Sequence, residues 1–188
     1  FLLLTFSAGA ETIYELDFST ASGNVQNWFE KIKWEFREDV TYMNLRFEDG
    51  KLVIEPTEDE FGVLIREFEK KDYLHGVSKI RIEWGVDQYP LGADWSGPKD
   101  KIRNTREAIS FMVFFGDTKL DSGFALAPDL PYFISFFLAK NESPDQIYYG
   151  NYWQEGGRYL CIPCDGSIGK TYITEIDLSA KFFELFGK

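Results

Sequence analysis

Histidine, cysteine and methionine are scarce in this chain: one His, two Cys and two Met among 188 residues. A Ser-His-Asp or Cys-His centre would have to be built on His75, which precedes Gly76, and no Gly-x-Ser-x-Gly accompanies it. His75 therefore reads as a surface or cap residue. A four-ligand zinc site would need two ligands beyond the pair in Cys161-Ile162-Pro163-Cys164, and His75 is the only other imidazole or thiol available. Basic residues are short as well, 20 against 31 acidic, for a formal charge of -11. That field repels nucleic acid and anionic membrane surfaces, and no basic patch interleaved with aromatics offsets it. Long apolar runs are missing: residues 132–139 are far too few to cross a bilayer. Strand–helix–strand alternation is missing too, which leaves a Rossmann fold or a helix-wrapped barrel without support. The sequence points to no metal and no cofactor.

What is abundant is aromatic: 18 Phe, 10 Tyr and 5 Trp. A disordered chain lacks such residues, and 188 residues suffice for one domain with a sizeable core. The N-terminal run Phe1-Leu2-Leu3-Leu4-Thr5-Phe6 followed by Ser7-Ala8-Gly9-Ala10 has the apolar core and small-x-small pattern of a signal-peptide tail. On that reading residues 1–10 are a remnant, residues 11–188 form a single domain, and the protein is periplasmic or secreted. An ordinary first strand is the alternative.

Strand signals recur along the chain. Residues 13–18 alternate, and so do residues 28–36 apart from Glu30, so both are expected as strands. Asp49-Gly50 lies between residues 42–47 and 51–56, a hairpin signal in which Leu45 and Phe47 share one face, with Leu52 and Ile54 on the matching one. Residues 61–68 add another strand. In residues 79–87, Ile80, Ile82, Trp84 and Val86 share one face, with Trp84 a core residue. Residues 108–115 and 132–138 are apolar on both faces, as strands covered on each side are. Residues 158–162 and 170–176 complete the set. Residues 177–187 change to helical spacing, with Asp177 or Ser179 as N-cap and Gly187 as stop. No internal repeat or linker divides the chain. About ten strands with one terminal helix predict a mainly β protein, an antiparallel β-sandwich of jelly-roll type with one C-terminal α-helix.

The order Ile80-Arg81-Ile82-Glu83-Trp84-Gly85-Val86-Asp87, then Pro90-Leu91-Gly92-Ala93-Asp94, then the strand at 108–115 resembles the bacterial domain of unknown function 3047 family. Tyr172-Ile173-Thr174-Glu175-Ile176-Asp177-Leu178 leading to Leu185-Phe186-Gly187 extends the likeness, as do Gly62 and Arg66 within residues 61–68. It covers most of the chain beyond residue 10. The family usually carries an Asp-Asp pair near a Gly between the loop and the strand; here that region reads Ile102-Arg103-Asn104-Thr105-Arg106-Glu107. If the pair serves a ligand or metal, Glu107 stands in alone or the site is lost. The resemblance implies a secreted bacterial sandwich and no particular reaction.

Four groups of residues carry the functional expectations. Cys161 and Cys164 sit at a strand end before Asp165-Gly166, away from the helix N-terminus that a redox pair uses, so a local disulfide is expected. Glu83 and Glu107, with Asp87 and Glu175, lie on or beside strands, where sandwich enzymes place paired carboxylates as acid and base. In so acidic a chain, solvated-face carboxylates are the plainer explanation. Asp94, Asp117 and Asp121 are loop acids whose spacing matches no calcium loop. Tyr89 and Trp95 occupy one loop, and Tyr148, Tyr149, Tyr152 and Trp153 another; such rings stack on sugars or else cap the core. The leading expectation is a non-catalytic module binding a carbohydrate or small molecule through Asp87, Tyr89, Asp94, Trp95, Arg106, Tyr149 and Trp153. The alternatives are a glycan-active hydrolase or lyase and an envelope scaffold that binds a protein partner.

Overall fold

The computed structural model describes residues 12–57, 61–72, 74–95 and 106–187. Residues 1–10, which carry the signal-peptide reading, lie outside them, as do residues 96–105 of the central loop. The chain divides into two compact units, Phe1–Gly76 and Val77–Lys188.

In the first unit, helix α1 (Val25–Lys31) is followed by β1 (Glu35–Glu38), a short 3-10 turn, β2 (Asn44–Glu48), β3 (Lys51–Glu55) and β4 (Gly62–Ile65). The helix replaces the front of the strand expected over 28–36. Asn24 caps it, its side chain accepting from the Asn27 N–H at 2.9 Å. Val25 and Phe29, four apart, are buried together, and Gln26 donates to Glu30 one turn on at 3.0 Å. Glu30, the exception to the two-residue period, is thus the residue that betrays a helix. Lys33 at φ 62 ends it and lets β1 begin. Residues 13–18 form no strand; Phe18 instead packs its ring on Trp28, Phe29 and Phe47. The expected hairpin forms about Asp49 (φ 52) and Gly50 (φ 72), with Leu45 opposite Ile54 and Phe47 opposite Leu52. β1 pairs antiparallel with β4.

In the second unit, β5 (Lys79–Val86), β6 (Ser110–Leu120), β7 (Leu130–Phe137), β8 (Gly157–Cys161) and β9 (Lys170–Asp177) lead into α2 (Leu178–Phe186). β5 pairs antiparallel with β9, and β6, β7 and β8 form a three-stranded sheet in that order. β6 to β7 is antiparallel, but β7 to β8 is parallel, which corrects the all-antiparallel expectation. Residues 138–156 supply the crossover that a parallel pair requires. β7 is the central strand, and Phe133, Ile134, Ser135 and Phe136 are fully buried. β6, expected to be covered on both faces, pairs only with β7 among the described residues and leaves Met112 and Phe114 exposed.

The alternation of β5 does put Trp84 and Val86 inward, and Trp84 donates its indole N–H to Thr174 Oγ1 at 2.9 Å. These residues share one core with Ile134 and Phe136 of β7, Leu160 of β8 and Tyr172 and Ile176 of β9. Helix α2 closes as read: the Asp177 side chain accepts from the Ala180 N–H, and Gly187 adopts the left-handed conformation at φ 71. The architecture is therefore mainly β, of small sheets with one C-terminal helix and a second, shorter helix near the start.

Candidate functional site

Two features of the second unit carry chemistry. The first lies on the β7 face opposite the shared core. Phe133 and Phe137 of β7 pack there with Tyr159 and Cys161 of β8, Tyr148, Ala139 and Trp95. Trp95 is 6% exposed and stacks on Tyr159 at 4.6 Å between centroids. The Arg106 guanidinium lies 4.8 Å over the Trp95 ring, so this indole faces protein on the surfaces where a sugar would stack. Arg106 is itself 3% exposed. Its backbone N–H donates to Glu107 Oε2 at 2.7 Å, and its Nη2 donates to Asn151 Oδ1 at 3.3 Å.

Burial pushes the Glu107 carboxyl up to about 7, against the lowering effect of the backbone N–H groups of Arg106 and Glu107 and of the Arg106 charge. Glu142 adds a smaller upward push. Burial first, then the Glu107 charge, also raise the Tyr159 phenol. Glu142, not Glu83, is thus the carboxylate whose charge Glu107 feels. Glu142 is buried and anchors two loops, accepting from the backbone N–H groups of Trp95 (2.5 Å), Lys140 (3.0 Å) and Asn141 (2.8 Å). Glu83 points outward from β5 with Arg81 Nη2 at 3.9 Å, and Glu175 lies on the same exposed face at 3.7 Å from Arg81 Nε. These two carboxylates match the solvated-face explanation.

Each remaining sequence candidate has surroundings of its own. Asp87 is exposed just past β5. Tyr89 donates its hydroxyl to the Ala139 carbonyl at 3.0 Å, and Asp94 accepts from Asn141 Nδ2 at 3.2 Å. Tyr149 is exposed with the Arg158 guanidinium 4.8 Å over its ring. Trp153 donates its indole N–H to the Pro128 carbonyl at 2.7 Å. Cys161 and Cys164 are joined by a disulfide. His75 is exposed. Among the described residues no three His, Cys, Asp or Glu side chains gather as metal ligands do.

The second feature is concave. A cleft of about 540 Å³ is lined by Asp121, Ser122, Gly123, Phe124, Ala125, Ala127 and Asp129. A second depression of about 360 Å³ shares Asp121, Ser122 and Gly123 with it and adds Asn151, Gln154 and Glu155. Ser122 shapes the loop between β6 and β7: its hydroxyl bonds to the carbonyls of Phe124 (2.9 Å) and Ala127 (3.0 Å), and its N–H to Asp129 Oδ1 (3.1 Å). Asp121 Oδ1 accepts from the Gly123 N–H at 2.8 Å. The Ser122 carbonyl accepts from the Trp153 N–H at 2.9 Å, which ties this loop to the loop before β8. The Phe124 ring is 42% exposed and lies parallel to Tyr152, 4.8 Å between centroids and 14° between planes. Carboxylates and amides beside an exposed ring can accept and donate hydrogen bonds to hydroxyl groups while the ring covers an apolar face. No lysine or arginine lines either depression among the described residues.

Of this cleft, the sequence reading had named Asp121 as a loop acid and Tyr152 as a loop aromatic. Phe124, Asp129, Asn151, Gln154 and Glu155 were missed. The available signal was Phe124 itself, a large ring inside the small-residue turn Ser122-Gly123-Phe124-Ala125. Neither a protein-family model, nor a curated protein, nor a solved structure matches the chain.

Proposed function

We propose that this chain is a secreted, non-catalytic binding protein whose ligand is a glycan, held at the cleft beside Phe124 and Tyr152. The observation that carries the reading is the pairing of an exposed, stacked aromatic with Asp121, Asp129, Asn151, Gln154 and Glu155 around one concavity. Neutral hydroxylated ligands suit it, because an anion meets three carboxylates and, among the described residues, no lysine or arginine there. The Cys161–Cys164 disulfide supports an oxidising compartment such as the periplasm or the exterior. The core shared by β5, β9, β7 and β8 supports a two-layer sandwich as the frame behind the cleft. The bacterial-family resemblance rests on its short motifs and agrees with that compartment.

A glycan array, followed by native affinity gels loaded with the polysaccharides that score, tests the proposal. Wild type is retarded, and Phe124→Ala loses about tenfold in affinity, a ring-stacking contribution near 1.4 kcal/mol. Equal retardation of wild type and variant, or no retardation of wild type by any polysaccharide, would sink it.

A hydrolytic reading draws on one observation: a Glu107 carboxyl near 7 keeps the proton that a general acid donates. The engagement of Glu142 by three backbone N–H groups leaves it poorly suited as the partner base, so binding is preferred. Turnover of chromogenic glycosides by wild type, abolished in Glu107→Gln, would reverse that preference.

A further inference from the structure

Trp153 lines neither depression, yet it grips the loop that carries Phe124 at two points. Its backbone N–H donates to the Ser122 carbonyl at 2.9 Å, and its indole N–H donates to the Pro128 carbonyl at 2.7 Å. Those acceptors stand near the two ends of the connection between β6 and β7, with Phe124 between them. Tyr152, the residue before Trp153, is the ring stacked on Phe124. Trp153 is itself rooted in the sheet. Its carbonyl accepts from the Gly157 N–H at 2.7 Å where β8 begins, and its indole meets Phe133 of β7 edge-on at 6.3 Å between centroids.

The backbone at Trp153 is left-handed, with φ 54. That conformation is uncommon for a bulky residue, and such outliers gather at functional sites. A glycine would adopt it without steric cost, but would supply neither the indole N–H for Pro128 nor the ring against Phe133. The left-handed turn sets Tyr152 toward Phe124 while the indole reaches the far end of the same loop.

We infer that Trp153 is a positioning residue of this binding site: it clasps the loop of Phe124 to the sheet and keeps Phe124 and Tyr152 stacked before ligand arrives. The inference rests on the cleft being the ligand site, and it gives Trp153 a role other than the ligand contact expected from the sequence. A loop held ready in this way spares the ligand the cost of ordering it.

The ring pair reports on the clasp in the full chain without ligand. Wild type shows a nuclear Overhauser contact between the Phe124 and Tyr152 rings. Trp153→Phe keeps a ring but loses the indole N–H; the contact disappears, while hydrogen exchange at the β7 amides stays within about twofold of wild type. A ring contact that survives in Trp153→Phe, or β7 amides that loosen with it, overturns the inference. Should that variant fail to fold, exchange in wild type decides. Protection of the Trp153 indole and backbone N–H groups within about tenfold of each other supports a single clasp, and a larger gap overturns it. With a polysaccharide that binds, Trp153→Phe weakens affinity about fivefold in the wild-type background and less than about twofold beside Phe124→Ala, because it acts through that ring. Equal losses in both backgrounds make Trp153 an independent ligand contact and overturn the inference. A glycan array without a hit sinks the cleft reading and leaves the ring-contact test standing, so the two fail separately.

Discussion

Replacing Glu107 by glutamine reverses the usual expectation for a buried polar residue, because the variant becomes the more stable protein at alkaline pH. The folded carboxyl sits at about 7, and its ordinary value is 4.5. Between those values the folded chain holds a proton that the unfolded chain has released. The folded state then binds more protons, so stability falls as pH rises through that window. The contribution is intact below pH 4.5 and gone above about pH 7. At about 1.4 kcal/mol per tenfold, the gap corresponds to a ceiling of about 3 kcal/mol. Glu107 keeps part of its surface in water, and screening there brings the expected loss to about 1–2 kcal/mol. Glutamine never ionises, and its carbonyl still accepts from the Arg106 N–H that now bonds Oε2. Wild type and Glu107→Gln should therefore match at pH 5 and separate progressively to pH 8. Hydrogen exchange at the amides of β7 reads the second unit alone, and comparing the two proteins at each pH cancels the intrinsic pH dependence of exchange. A gap between the two that is constant with pH, or a variant less protected at pH 8, refutes the burial argument for Glu107.

Two further substitutions test the frame behind the site. Thr174→Val removes the acceptor for the buried Trp84 indole N–H while keeping shape; urea unfolding should report a loss of about 1–3 kcal/mol. Gly157→Ala brings a Cβ to 2.5 Å from Phe133 Cζ and 3.0 Å from the Trp153 carbonyl oxygen, at a cost of about 1–3 kcal/mol from overpacking, seen as a lowered midpoint in the same assay.

Much of the fold was legible because local rules act alone there. The Asp49-Gly50 hairpin, the inward face of β5 and the Asp177 and Gly187 caps of α2 each depend on a few neighbouring residues. The failures have a common cause in burial that distant chain supplies. Residues 108–115 are as apolar as residues 132–138, yet only the latter occupy the middle of the sheet. Residues 28–36 alternate well enough to mimic a strand, but Asn24 and the Val25–Phe29 pair close a helix against aromatic partners. For the site, Trp95, Arg106 and Glu107 were named from a loop and do gather, though Trp95 turns inward rather than toward a ligand.

By itself, then, the sequence determined the mainly β character, the hairpin, the terminal helix and the local disulfide, since composition, two-residue alternation, turn chemistry and close spacing act over a few residues. Tertiary structure alone decided that β8 runs parallel to β7, that Glu142 is the carboxylate whose charge reaches Glu107, and that Phe124 meets Tyr152 beside the cleft. Each of those facts joins residues far apart in the chain, and the burial that shifts Glu107 exists only once they meet.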